Sequence, residues 1–264
     1  MIYRLLILLI FNACGEFNYS PYSFEVDNVN QNQISLDAIL NSQLTTQDFV
    51  NNENYKIAVI ADTHDYYDEL EDQVSYINSH ADELDFVIVA GDLTNVGLLS
   101  EYTATKSRLD KLVIPYLTTS GNHDLLIDGR VIYSQLFGED SYSFVYKQTK
   151  FILYNNNNWE SSPQIPDLEW VESELVSNSQ PNLLLLSHVA PDDYDRFTES
   201  QINKTRDLVN DYGVQYYLNG HNHNPSEGSF GKATHLTIGS SQKRVIVILD
   251  IDSNDGIKHE FVTI

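Results

Sequence analysis

From Tyr55 onward the hydrophobic positions fall into a few clear patterns. Lys56–Ala61 and Asp85–Ala90 are nearly unbroken apolar runs, the signature of strands covered on both faces. Leu112–Leu117, Leu183–Leu186 and Val214–Leu218 read the same way. Between them, Leu70, Val74 and Ile77 recur at helical spacing within Leu70–Asn78. Further helices are predicted over Leu99–Leu109 and Asp167–Val176, the second anchored by Trp170. Tyr142–Tyr146 and Lys150–Tyr154 make a predicted hairpin, and Lys243–Ile251 and His259–Ile264 two late strands. Strands alternating with helices predict α/β layers. There is no internal repeat.

Before Tyr55 the pattern is different. Arg4, the apolar run Leu5–Phe11 and the small residues around Ala13 make a secretory signal. The run is too short for a membrane-spanning helix. Cys14 follows Ala13, where it resembles the lipidated Cys of bacterial lipoprotein signals. Residues 1–14 are therefore expected to be a signal peptide with a lipobox Cys. The protein is then expected to be exported and membrane-held by a lipid anchor rather than a transmembrane helix. A plain signal peptide, or a buried strand with an incidental Cys, is the alternative. Residues 15–54 read as a tether and lead-in, with no Lys or Arg from Glu16 to Tyr55 and a short helix around Ile34–Leu44. One folded domain is expected over 55–264.

Composition narrows the partners. The chain has 264 residues, 38 acidic against 15 basic, and a net charge of -23. Such a surface repels nucleic acid and anionic membranes at long range. A phosphate-bearing ligand would need a local positive centre. The single Cys excludes an intrachain disulfide framework and a Cys-rich zinc module.

Candidate chemistry sits at the ends of the strands. The five apolar strands lead into Asp62-Thr63-His64, Gly91-Asp92, Gly121-Asn122-His123-Asp124, His188, and Gly220-His221-Asn222-His223. Sites in open α/β sheets form at the carboxyl ends of strands, so residues distant in sequence converge on one rim. Asp62, His64, Asp92, Asn122, His188, His221 and His223 supply two carboxylates, one amide and four imidazoles. Oxygen donors with imidazoles suit Mn, Fe, Zn or Ni better than an all-oxygen Ca or Mg cage. Seven donors exceed one tetrahedral ion and suit two ions sharing a bridging carboxylate. Asp62 and Asp92 could instead cap helices, and Asn122 could be a turn residue. His80, His235 and His259 read as ordinary hydrogen-bonded residues, Tyr216 and Tyr217 as packing. Asp65 to Asp72 read as a solvated acidic helix start, Asn155–Asn158 as a rim loop, and Arg130 and Arg196 as surface residues, with reach to a substrate phosphate as the alternative.

These motifs, in this order over roughly Tyr55 to Asp250, resemble the calcineurin-like metallophosphoesterase superfamily. Gly91-Asp92-Leu93-Thr94, with Glu101-Tyr102 after it, is most similar to the cyclic-nucleotide phosphodiesterase-like branch. The protein Ser/Thr phosphatase branch carries an Asp where this chain has Asn95. The resemblance implies a four-layer α-β-β-α sandwich with two mixed β-sheets. It assigns Asp62, His64 and His223 to one metal, and Asn122, His188 and His221 to the other. Asp92 would bridge them, and His123 would lie beside the phosphoryl group as the catalytic residue. Asp124 would prop its loop. The implied cofactors are two transition-metal ions (Mn, Fe or Zn), about 3.5–4 Å apart, that hold a hydroxide for in-line attack on phosphorus. His123 would stabilise or protonate the leaving oxygen. The implied substrate is a small-molecule phosphate ester, diester or monoester. Two other classes compete: a lipid-anchored metal-binding or interaction module without turnover, and a nuclease, which the acidic balance disfavours.

Overall fold

The computed structural model describes residues 26–45, 54–162, 164–253 and 255–264. The signal segment with Cys14 and much of the tether lie outside these residues. In chain order the strands are β1 (Tyr55–Ile60), β2 (Phe86–Ala90), β3 (Tyr116–Thr119), β4 (Tyr142–Tyr146), β5 (Thr149–Leu153), β6 (Asn182–Leu186), β7 (Tyr216–Asn219), β8 (Ser226–Phe230), β9 (Ala233–Thr237), β10 (Val245–Asp252) and β11 (Gly256–Thr263). The helices are α1 (Gln31–Thr45), α2 (Tyr67–Ser79), α3 (Leu99–Leu109), α4 (Gly129–Leu136), α5 (Leu168–Val176) and α6 (Glu199–Asp211).

Two mixed sheets result. The first has the order β11-β10-β1-β2-β3, with β1, β2 and β3 parallel and β10 antiparallel to both neighbours. The second has the order β4-β5-β6-β7-β9-β8, parallel from β5 to β9 with an antiparallel strand at each edge. The β1 run shows why the sheets are layered as they are. Ile57, Val59 and Ala61 face the other sheet, while Ala58 and Ile60 face α2, α3 and α4. Side chains alternate across a strand, so only an unbroken apolar run can fill both interfaces. The second sheet buries its outer face against α5 and α6 through Val171, Leu175, Ile202 and Leu208. The order of layers is α-β-β-α. Each fully buried Ile, Leu or Val contributes about 1.5–3 kcal/mol to holding it.

Several elements depart from the sequence reading. Residues 31–45 form a full helix that packs into the body, whereas a short helix within a tether was expected. Ile39 joins the core between the sheets, and Asn32 hydrogen-bonds both backbone groups of Thr118 on β3. The polar Asn, Gln and Ser residues around Ile39 hide that contact in the sequence. The third strand starts at Tyr116, not Leu112, because Pro115 offers no N–H and Val113 is 70% exposed. On α5, Val171 and Leu175 bury fully while Trp170 is only half-buried, and Asp167 caps the helix at the Trp170 amide. Helices α4 and α6 and strands β8 and β9 were not anticipated. No helix among the described residues is long and apolar enough to cross a membrane.

Candidate metal centre

The carboxyl ends of β1, β2, β3, β6 and β7 meet at one rim. Each strand leaves the sheet by a sharp turn. Asp62, His64, Asp92, His221 and His223 all take left-handed backbone conformations, with φ between 40° and 66°. Such conformations cost about 1–3 kcal/mol each in non-glycine residues and persist only where surroundings fix them. Here the loops fix one another. Asp62 donates its amide to Gly91 and His64 to Asp92, each at 3.0 Å. The amides of His221 and His123 donate, at 2.9 Å, to the carboxylates of Asp62 and Asp92. A Cβ at Gly121 would stand 2.1 Å from the Asp92 amide and carboxylate, so glycine is the only residue that lets β2 and β3 loops meet.

The side chains gather as two overlapping groups. Asp62, His64, Asp92 and His223 present donor atoms within 4.8 Å of one another, and so do Asp92, His188 and His221. Asp92 belongs to both. Its Oδ2 lies 3.5 Å from His64 Nε2 and 3.1 Å from His188 Nε2. His223 Nε2 stands 3.5 Å from Asp62 Oδ1 and 3.2 Å from His64 Nε2. Asn122 brings its carbonyl oxygen 2.9 Å from His221 Nδ1, which adds it to the second group. All seven residues expected to bind metal therefore reach the same rim. His123 flanks the first group, its ring centre 4.8 Å from that of His64 and edge-on to it.

Electrostatics fit a cation site. Burial pushes the Asp62 carboxyl up, and the charge of Asp92 adds to this while His188 opposes it. Burial also acts on Asp92, but His188 and His64 outweigh it and hold the carboxyl below its ordinary range. Burial lowers the His188 imidazole, yet the Asp92 charge and hydrogen bond outweigh that and raise it to about 9. Burial lowers His64 and His221 to about 4, leaving neutral imidazoles that can coordinate. At this centre the fully buried Asp62 Oδ2 has no hydrogen-bond partner among the described residues. Such atoms are costly unless something else engages them. The donor set and this orphaned carboxylate oxygen fit a dinuclear metal centre.

Backbone carbonyls orient the ring donors, which sequence reasoning missed because a carbonyl carries no residue signal. Thr94 O faces His64 Nδ1 at 3.0 Å and Ala90 O faces His188 Nδ1 at 2.8 Å, so each ring turns Nε2 inward. His123 Nδ1 meets the carbonyl of Asn95 at 2.5 Å; the Asn95 side chain is not the partner. Asp124 accepts hydrogen bonds from the amides of Leu93, Thr94 and Gly121 and from the Thr94 hydroxyl, tying two loops together. Asn155–Asn157 are buried rather than loosely placed: Asn156 holds Val189 beside His188, and Asn157 holds the Ser120 carbonyl. Arg196 pairs with Glu160 rather than standing free. His80, His235 and His259 lie outside the two groups and bond to Tyr76, Asn219 and Tyr216 respectively.

Comparison with known proteins is consistent with this geometry. The model of the calcineurin-like phosphoesterase family matches residues 55–225. The chain belongs to that family. As a calcineurin-like phosphoesterase it is a hydrolase. A probable cyclic nucleotide phosphodiesterase of Xenorhabdus bovienii is 22% identical over 185 residues, 62% of this phosphoesterase and 70% of the relative. Among solved structures, the purple acid phosphatase of yellow lupin (Lupinus luteus) seeds shares the fold at a TM-score of 0.66 and 16% identity. That match covers 80% of this phosphoesterase and 51% of the lupin chain, so this chain spans about half of it. The anchor protein of the Plasmodium inner membrane complex matches at a TM-score of 0.62 and 15% identity, over 80% and 84% of the two chains.

Proposed function

We propose that this phosphoesterase hydrolyses a small-molecule phosphoric ester at a dinuclear metal centre. The observation that carries the reading is the position of Asp92, whose carboxylate belongs to both donor groups. Asp62, His64 and His223 would hold one cation, and Asn122, His188 and His221 the other, with Asp92 between them. Bound divalent cations supply positive charge to phosphate oxygens and lower the pKa of a coordinated water. That charge answers the long-range repulsion of the acidic surface.

The chain's own groups do the positioning. Thr94 and Ala90 carbonyls aim the rings of His64 and His188. His123 keeps Nδ1–H on the Asn95 carbonyl; as an imidazolium it would carry a second proton on Nε2, to give to the departing oxygen or to stabilise its charge, and would be left neutral after the transfer. A carbonyl fixes the ring as well as a carboxylate would, without the added charge. The name of the Xenorhabdus relative inclines the reading toward diesters. Export and lipidation at Cys14 complete the proposal, supported by the amino-terminal sequence alone.

The test is metal analysis of protein purified without added metal, followed by a panel of phosphate monoesters and diesters. Two metals per chain and turnover abolished by Asp92→Asn support the reading. Two metals with no ester hydrolysed would favour a binding module, a role in keeping with the anchor named among the structural neighbours.

A further inference from the structure

Trp159 stands on the loop that leaves the buried Asn155–Asn157 segment, and its indole is 65% exposed. A lone exposed aromatic needs no explanation by itself. This one is held from several sides. The Arg196 guanidinium lies 4.3 Å over the ring and covers one face. Arg196 is in turn fixed by two hydrogen bonds to Glu160, at 2.9 and 2.7 Å, with side-chain exposures of only 9% and 13%. The adjacent Asn158 amide donates to the Arg196 carbonyl at 2.5 Å.

The platform is also tied to the metal centre. Asn157 donates to the carbonyl of Ser120, two residues before Asn122. Asn156, one residue further back, holds both backbone groups of Val189, the neighbour of His188. Both bonds to Glu160 come from Arg196 Nη1, and the guanidinium so held braces the indole. A nearly buried ion pair thus braces a large apolar surface on the loop whose Asn157 touches Ser120, two residues before Asn122. Exposed, pre-oriented aromatic faces are what flat π-systems stack on.

We propose that Trp159 is a specificity-determining residue: the open face of its indole stacks on a flat aromatic group, a nucleobase or an aryl ring, carried by the ester. This rests on the proposed phosphoester hydrolysis and specifies its substrate class.

Two measurements on the full metal-loaded chain test it. The chain has two tryptophans, so Trp170→Phe isolates the fluorescence of Trp159. Adenosine monophosphate, phenyl phosphate or both should quench it saturably, while glycerol phosphate should not. In assays, Trp159→Ala should lower the ratio of kcat/KM for aromatic over aliphatic esters about tenfold, through KM. Trp159→Phe should recover most of the ratio. Quenching by both aromatic probes assigns the platform to π-systems generally, and by adenosine monophosphate alone to nucleobases. No quenching by either, quenching equal to that by glycerol phosphate, or an unchanged ratio would overturn the proposal. If no ester is turned over yet the aromatic probes quench, the hydrolytic reading falls and the platform stands.

Discussion

The Nε2 of His188 faces the Oδ2 of Asp92 at 3.1 Å, with both side chains essentially closed to solvent. A buried charge pair of this kind is strongly coupled, and removing one member leaves the other uncompensated. Because Asp92 also stands 3.5 Å from His64, its charge serves both halves of the centre. With two ions bound as proposed, Asp92→Asn should lower the metal content to at most one and cut turnover by about 10–100-fold or more. Elemental analysis and steady-state assays on the same preparation check this. Retention of two metals with turnover within tenfold of the parent would remove Asp92 from its bridging role.

Proton release should accompany metal binding. The Asp92 carboxylate raises the buried His188 imidazole to about 9 from an ordinary 6.5, so in the metal-free protein at pH 7 it is expected to carry a proton that coordination must displace. His64 and His221, lowered to about 4, are already neutral there and release none. Apparent affinity should rise with pH and level off above about 9. The same raised pKa works oppositely on metal-free stability: the His188–Asp92 contribution is whole below pH 6.5 and is lost as pH rises through 9. Calorimetry in two buffers of different ionisation enthalpy, with melting curves in chelator from pH 6 to 10, reads both effects. Metal binding independent of buffer would count against a charged His188.

Gly121→Ala should damage the fold as well as the site. The added methyl would meet the amide and carboxylate of Asp92 at 2.1 Å. Backbone must move, and overpacking of this kind costs about 1–3 kcal/mol. Thermal unfolding should fall by several degrees, since about 2–4 °C accompany each kcal/mol in a domain of this size. Metal affinity should weaken together with it. An unchanged melting temperature would show that the loops have slack absent from this structure.

Asn32→Ala tests whether α1 is part of the folded body. Asn32 accepts from the Thr118 amide at 2.8 Å and donates to the Thr118 carbonyl at 3.0 Å. Losing both from a buried position should cost about 1–3 kcal/mol. Because β3 carries on into Asn122, a drop in stability with KM unchanged would separate docking of α1 from the chemistry. No change in denaturant midpoint would mean that α1 contributes little.

The readable part of the molecule is the part where one constraint acts at a time. Strands β1, β2 and β6 are covered on both faces, so their apolar runs stand out, and their ends mark the candidate donors, with helix capping the competing reading of Asp62 and Asp92. Strand β8 was invisible because four of its five residues are exposed, and Ser226, Gly228 and Ser229 have no strand preference. Helix α6 did carry a start signal, Thr198 capping the amide of Gln201, that went unread. Asn155–Asn157 read as a rim loop, but their burial was not legible, because it depends on partners such as Asp140, Ser120 and Val189, none of them nearby in sequence. The tilt of each imidazole is set by carbonyls, which every residue owns alike.

The left-handed turns at Asp62, His64, Asp92, His221 and His223 set stability against chemistry at single positions. Glycine at any of the five would relax the main chain while deleting a donor. Selection for heat resistance alone would thus be drawn first toward the residues that give the protein its use. Surviving variants from such a search should be sorted by metal content before they are ranked by melting point.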